Sequence, residues 1–292
     1  MELNYFNRTG YVSIENDRGE WVNFGGNSDA LDFKFSGEKI GRVYTWFNVS
    51  ILGLSSDTIN ALTVWNPAKS INRKRRIRVF AGYEGDGRTN PIFEGIVFEA
   101  MPTNPPEMWM NFKCLHFDDI GDEKRSIEFR RMRRNEIIAE LAKPFGLKTS
   151  WEDKNISGDD TGKFIEESFS FSGSYMAAID YFSERFRVRC FEENGILRVV
   201  GMRPWLSQPP EDAVVVDTGH GMLGLGNVTI AGAKIRKRLD DTAPMMGWVY
   251  LKSSIIPKAN GYYCVIKKKH VGHFRGNEWE TELECIRQGA SV

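Results

Sequence analysis

The stretch Val43-Tyr44-Thr45-Trp46-Phe47-Asn48-Val49-Ser50-Ile51 sets Val43, Thr45, Phe47, Val49 and Ile51 on one side of an extended chain. A period of two is the mark of a β-strand with one buried face. Upstream, Asp32-Phe33-Lys34-Phe35 alternates in the same way; downstream, Arg76 to Ala81 does so with Ile77, Val79 and Ala81 inward. Two further strands are expected over Ile92–Met101 and Met108–Phe117. Between them lies Pro102-Thr103-Asn104-Pro105-Pro106, where proline has no N–H for a ladder. Ser55-Ser56-Asp57-Thr58 can cap a short helix reaching Leu62. Residues 1–118 thus read as a first β-domain.

The pattern changes near Asp118. Asn135 is placed to cap a helix to about Phe145, with Ile137, Ile138, Leu141, Ala142 and Phe145 on one face and Gly146 ending it. The polar stretch Glu152–Lys163 reads as a loop. Ser174 caps a second helix with Tyr175, Ile179, Phe182 and Phe186 on its inner stripe. Arg187–Glu192 and Ile196–Gly201 flank Glu193-Asn194-Gly195, a strong hairpin signal. Residues 119–210 therefore form an α+β insert, ending in the proline-bounded run Pro204–Pro210.

From residue 211 to 292 the chain returns to β-structure. Strands are expected at Val214–Val216, Lys234–Leu239, Gly247–Lys252, Gly261–Lys269 and Trp279–Ile286, at the close spacing of a small barrel or sandwich. This end echoes the beginning. The step from Phe93 to Trp109 is 16 positions and that from Tyr262 to Trp279 is 17. Many small antiparallel domains share such spacing; the alternative is two related barrels around an insert. Three chains with two similar barrels each would present a pseudo-sixfold ring, fit to join a threefold object to a sixfold one.

Composition narrows the functional classes. The 292 residues carry 39 Lys+Arg and 39 Asp+Glu. This balance argues against a dedicated nucleic-acid binder, whose affinity rests on excess positive charge. The 41% hydrophobic content is too high for disorder. No run approaches the ~18 apolar residues of a membrane span, and Met1–Gly10 lacks the apolar stretch of a signal peptide. Cys114, Cys190, Cys264 and Cys285 are scattered, as suits buried thiols made in a reducing compartment.

Three strings resemble the baseplate hub proteins of tailed bacteriophages and prophages, related to the hub part of type VI secretion spike proteins. They are Val49-Ser50-Ile51-Leu52-Gly53-Leu54-Ser55 with Asp57-Thr58-Ile59 and Trp65-Asn66-Pro67; Val79-Phe80-Ala81-Gly82-Tyr83 leading to Ile92-Phe93-Glu94-Gly95-Ile96; and Asp217-Thr218-Gly219-His220-Gly221-Met222-Leu223-Gly224 followed by Asn260-Gly261-Tyr262-Tyr263 and His270. Their order and spacing, over about Ile40–Ile286, carry the likeness. The resemblance implies a homotrimer with two barrels per chain, set between a tail tube or distal tail protein and a separate spike protein. It also implies a virion protein of the tail baseplate, made in the host bacterial cytoplasm, whose lumen DNA crosses transiently at ejection. The chain stops soon after its last strand, so the spike is expected on another polypeptide.

The candidate interface residues follow from charge and aromatic content. Arg73, Lys74, Arg75, Arg76 and Arg78 form the densest basic run; it serves a protein partner, contacts DNA or forms a solvated loop and strand face. Arg130, Arg131, Arg133 and Arg134 precede a helix N-terminus, where positive charge opposes the dipole; they either serve a partner or form a solvated charge run. Trp46 and Trp65, with Trp109 and Trp248, are the aromatic candidates.

No catalytic, metal or cofactor set is expected. Cys264, His270, His273 and Cys285 lack the close cysteine pair of a zinc site. Cys114 and His116, two apart on a strand, do not face each other. Gly219-x-Gly221-x-x-Gly224 has no helix after it to make a dinucleotide site and reads as a flexible turn. The alternative functions are a phage-tail cell-wall hydrolase and a nucleic-acid-binding module.

Overall fold

The computed structural model describes residues 7–16, 18–25, 31–40, 43–63, 75–85, 91–116, 125–151, 163, 165–193 and 195–291. The fold is α+β and mainly β. The first part comprises β1 (Arg8–Glu15), β2 (Trp21–Phe24), β3 (Asp32–Ile40), β4 (Val43–Leu52), helix α1 (Ser56–Leu62), β5 (Arg76–Tyr83), β6 (Phe93–Pro102) and β7 (Trp109–Leu115). The middle holds β8 (Arg125–Phe129), β9 (Met132–Arg133), α2 (Arg134–Ala142), β10 (Lys148–Trp151), β11 (Ile165–Glu166), β12 (Phe169–Gly173), α3 (Tyr175–Phe186), β13 (Val188–Glu193) and β14 (Ile196–Gly201). The last part runs through β15 (Val214–Val216), β16 (Met222–Val228), β17 (Gly232–Arg238), β18 (Trp248–Leu251), β19 (Gly261–His273) and β20 (Trp279–Arg287).

The two outer parts share one topology. Strand order in the first is β3-β4-β7-β6-β5, and in the last β16-β17-β20-β19-β18. Each is a hairpin followed by a three-strand meander whose final strand returns to the hairpin. The agreement extends to register. Ile96 and Val97 face Leu115 and Cys114, then a bulge precedes Glu99 opposite Lys113. Cys264 and Val265 face Ile286 and Cys285, then a bulge precedes Lys267 opposite Glu284. Val97 donates its N–H to the Arg75 carbonyl, as Val265 does to that of Gly247. Cys114 and Cys285 thus hold matching buried places.

This register corrects the sequence alignment by one residue. Trp109 matches Glu280 rather than Trp279, because Trp109 lies opposite Leu52 and Glu280 opposite Arg238. One residue reverses the face in a strand, which is why Trp279 is buried while Trp109 is half-exposed. Beyond the meanders, β1 pairs antiparallel with β5, whereas β15 pairs parallel with β18. The Gly219–Gly224 segment also departs from expectation. Asp217 accepts the His220 N–H at 2.8 Å, closing a tight turn from which β16 emerges as a strand.

The two outer parts join through antiparallel pairing of β3 with β19, from Lys34 opposite His273 to Ile40 opposite Lys267. Two glycines allow this junction. A Cβ on Gly37 would lie 2.0 Å from the Phe47 ring, and one on Gly272 would lie 2.3 Å from the Phe35 ring. The rings of Phe35 and Phe47 therefore lie over backbone rather than beside a side chain. Phe47 stacks on Phe93 with centroids 4.1 Å apart, and this aromatic core extends to Trp279 of the last part through Phe33 and Phe35.

The insert has its own core, with Ile137, Ile138 and Leu141 of α2 packed with Ile179, Phe182 and Phe186 of α3. Helix α3 starts as the sequence predicts, with the Ser174 hydroxyl accepting the Ala177 N–H. Helix α2 starts earlier than expected: Arg133 is its N-cap, and Glu136 reaches back to the Arg133 N–H at 3.0 Å. Asn135 therefore sits inside the first turn. Gly146, at φ 68°, ends the following short 3₁₀ turn. Most of the Glu152–Lys163 stretch lies outside the described residues. After β14, Trp205 packs with Trp248 and Cys264, so the proline-bounded run is anchored to the last part.

Candidate interface residues and the charged junction

The basic run in β5 is held within its own sheet. Arg76 and Arg78 both bond Glu94 on β6, at 2.5 and 3.0 Å. Arg78 also lies 4.3 Å from the Trp21 ring centroid and Arg76 5.7 Å. The expected alternation is present: Ile77 and Val79 are inside, and the arginines form an outward ladder with Trp21. Arg75 is half-buried. Arg73, Lys74 and Trp65 lie outside the described residues.

The second arginine group divides. Arg134 donates to Glu166 at 2.7 Å, and Glu166 also takes Arg185 at 2.8 Å. Burial would raise the Glu166 carboxyl, but its hydrogen bonds to Arg185 and Arg134 outweigh that and hold it below the ordinary range. The carboxylate answers the misfit of positive charge at the start of α2. Arg130 is exposed, 3.5 Å from Glu128. Arg131 and Arg133 are exposed, and Arg131 takes a positive φ of 35°. These three present charge outward.

Trp46 is half-buried, edge-on to Phe98 at 5.6 Å and covered by Lys113 at 4.1 Å. Phe98 and Met101 on β6 are each 57% exposed. The bulge after Val97 turns Phe98 outward, giving this face an apolar patch that alternation alone does not reveal. Trp109 sits between Lys34 and His273, while Trp248 is buried.

A feature missed by the sequence reading lies where the three parts meet. Lys39 of β3 donates to the Glu192 carbonyl of β13. The Glu192 carboxylate takes His116, just after β7, at 2.5 Å. The neighbouring Glu193 pairs with Arg198 at 2.7 Å and Lys268 at 3.4 Å. Lys268 also bonds Asp241, and His270 bonds Thr281 at 2.9 Å. Lys237 pairs with Asp240 at 2.8 Å. Lys39, Lys237, Lys268 and His270 are all buried.

Burying a charge costs several kcal/mol unless its partners are well placed, and the ionisation shifts record this balance. Burial pulls Lys39 below its ordinary value, against the charge of Glu192. Burial also acts to lower Lys268, yet Asp241 and Glu193 outweigh it and raise the ammonium. Burial would raise Glu192, but His116 and Lys39 bring it down to about 2. His270 is depressed, burial being the main cause. The junction is an ionic clamp of paired opposite charges joining all three parts.

The metal candidates separate. Cys264 packs with the tryptophans and Cys285 with the main core of the last part, and His273 bonds Asp32 at 2.8 Å. Although Cys264 and His270 are an even number of positions apart, the bulge between Val265 and Lys267 puts them on opposite faces of β19. Among the described residues, no group of three or more His, Cys, Asp or Glu is arranged to hold a metal ion. Burial pushes the Cys264 thiol up to about 12 and Cys114 higher still. No helix among the described residues is long and apolar enough to cross a membrane.

Comparison with known proteins bears on this architecture. No curated protein sequence matches the chain. The tail protein from Neisseria meningitidis MC58 shares its fold with a TM-score of 0.63 at 8% identity, over 97% of this chain and 98% of that one. The 43 kDa tail protein of prophage MuSo2 from Shewanella oneidensis follows with 0.60 at 9% identity, covering 96% and 97%. The E. coli c3393 protein, a type VI secretion component structurally similar to the T4 tail proteins gp27 and gp5, gives 0.56 at 7% identity, covering 89% and 75%. The sequence model of the baseplate hub gp41 family matches residues 30–285, and the chain belongs to that family of bacteriophage tail structural proteins.

Proposed function

We propose that three copies of this chain close into a ring of six similar β-units, forming the baseplate hub between the tail tube or distal tail protein and a separate spike protein. The observation that carries this reading is the strand order shared by the hairpin and meander of the two outer parts, with the same bulge in each meander. Three chains of two units each yield a sixfold-like face, while the inserts repeat three times and can address a threefold spike. The role is architectural rather than enzymatic. The junction charges are paired with opposite signs, as a rigid coupling requires, and the ring surrounds the channel that DNA crosses at ejection.

The balance of 39 positive and 39 negative charges suits a conduit, since a lumen rich in Lys/Arg would retain DNA through its phosphates. Within this reading, Trp46 and the exposed arginines Arg130, Arg131 and Arg133 are proposed partner contacts. Arg76, Arg78 and Arg134 first serve the chain's own carboxylates. Light scattering tests the proposal: a mass about three times the 33.4 kDa chain is expected, and a monomer at micromolar concentration overturns it.

A further inference from the structure

The internal repeat identifies how neighbouring copies meet. In the last part, β19 uses one edge twice. Its first residues, Gly261–Cys264, pair with β18, and its later residues, Lys267–His273, pair on the same side with β3 of the first part. In the first part, β6 is the counterpart of β19. Its residues Phe93–Ile96 pair with β5, and no described strand pairs with the continuing edge from Phe98 to Pro102. The counterpart of β3 is β16, which ends the strand order with its outer edge unpaired among the described residues. Within the chain, then, the last unit grips the first through β19 and β3. The matching elements, β6 and β16, are left without each other.

We infer that β6 of one copy receives the β16–β17 hairpin of the next, repeating between chains the junction made by β19 and β3 within each chain. The inference rests on the trimeric ring reading and specifies its interface. The chemistry of the two edges agrees with it. Phe98 and Met101 are each 57% exposed, and Ile230, at the tip of the hairpin, is 96% exposed. The tip is tightly built, with Thr229 and Gly232 bonded across a two-residue turn, so Ile230 is presented rigidly.

Pro102 limits the ladder. The Thr103 N–H is taken by the Trp109 carbonyl, which turns Pro102 toward the open side with only a carbonyl to offer. Apolar burial of Ile230 against the β6 edge therefore accompanies a short ladder. In the matched register, Met101 corresponds to Lys269, which faces Glu38. Counting along β16 from Val228, the match of Gly37, Met101 faces Thr229 of the neighbour.

Two variants of the full-length chain test this. After mild oxidation, Met101→Cys combined with Thr229→Cys is expected to give disulfide-linked species of two and three chain masses on a denaturing gel, with none in either single variant. The native cysteines are buried and do not compete. Ile230→Asp is expected to convert the trimer to monomer while leaving the circular dichroism spectrum unchanged. If scattering shows a trimer, absence of the cross-link together with a persistent Ile230→Asp trimer overturns this interface and leaves the ring reading intact. A wild-type chain that stays monomeric overturns the ring reading and this interface together.

Discussion

The two β-units share strand order and the bulge of the meander, yet several matching interior positions that are apolar in the first unit are charged or polar in the last. Across the first unit one row reads Phe33, Ile51, Met110 and Pro102; its match in the last unit is Met222, Lys237, Thr281 and His270. In the next row Phe112 and Ala100 correspond to Leu283 and Lys268. The first unit is closed by stacked phenylalanines. The last unit buries cations, because its long strand β19 runs out to the place where the first unit and the insert converge with carboxylates. One topology therefore supports either an apolar seal or an ionic clamp, depending on what is packed over its open side.

The largest test of that contrast is Phe47→Ala. The side chain is fully buried and lies on Phe93, so unfolding in urea is expected to show a loss of ~3–5 kcal/mol from the cavity left behind. A loss below ~1 kcal/mol would show that the stack does not hold the first unit together.

Next comes Asp241→Ala, which removes one of the two carboxylates on buried Lys268. A loss of about 3 kcal/mol is expected, since breaking a buried pair strands a charge. Adding Lys268→Met to that variant, toward the apolar character of the matching Ala100, should restore most of the stability. If the double variant is no better than the single one, the lysine contributes more than charge balance.

The clamp also predicts acid sensitivity. Glu192 is ordinarily near 4.5 and sits at about 2 when folded. The unfolded chain therefore takes up its proton first as pH falls, and the stabilisation present above about 4.5 drains away toward 2. Depressed His270 acts with the same sign below the ordinary imidazole value of 6.5. Thermal melts from pH 7 to pH 2 should show this decline, and Glu192→Gln should flatten its acidic limb.

The smallest effect is expected on the outer face of the first unit. Trp21→Ala removes the ring under Arg76 and Arg78 and should cost only ~0.5–1 kcal/mol. A larger loss in chemical denaturation would give this exposed ladder a structural weight comparable with the clamp.

Much of this fold is legible along the chain. Alternation reveals β4, β5 and β7, the Ser55 and Ser174 caps start α1 and α3, and Asn194-Gly195 marks the β13–β14 hairpin. Strand β16 is hidden, since Gly224 and Gly226 interrupt its pattern where its pairing is irregular. The echo of the two ends is visible but displaced by one residue, because conspicuous tryptophans attract an alignment that the hydrogen-bond ladder does not support. Of the candidate interface residues, the alternation of Arg76 and Arg78 is readable in advance. Their shared carboxylate, Glu94, and the answer of Glu166 to Arg134 are not.

The sequence by itself determined local elements such as β4, the capped starts of α1 and α3 and the β13–β14 hairpin, because strand period, helix caps and turn residues act over a few neighbours. Tertiary structure alone decided which lysines and histidines are buried and which strand edges stay unpaired among the described residues. Lys39 and Glu192 are 153 positions apart, and Lys268 stands 75 from Glu193. Neither partner carries a local mark of the other. Their charges are tolerable inside only because folding brings opposite signs together as it removes water from both.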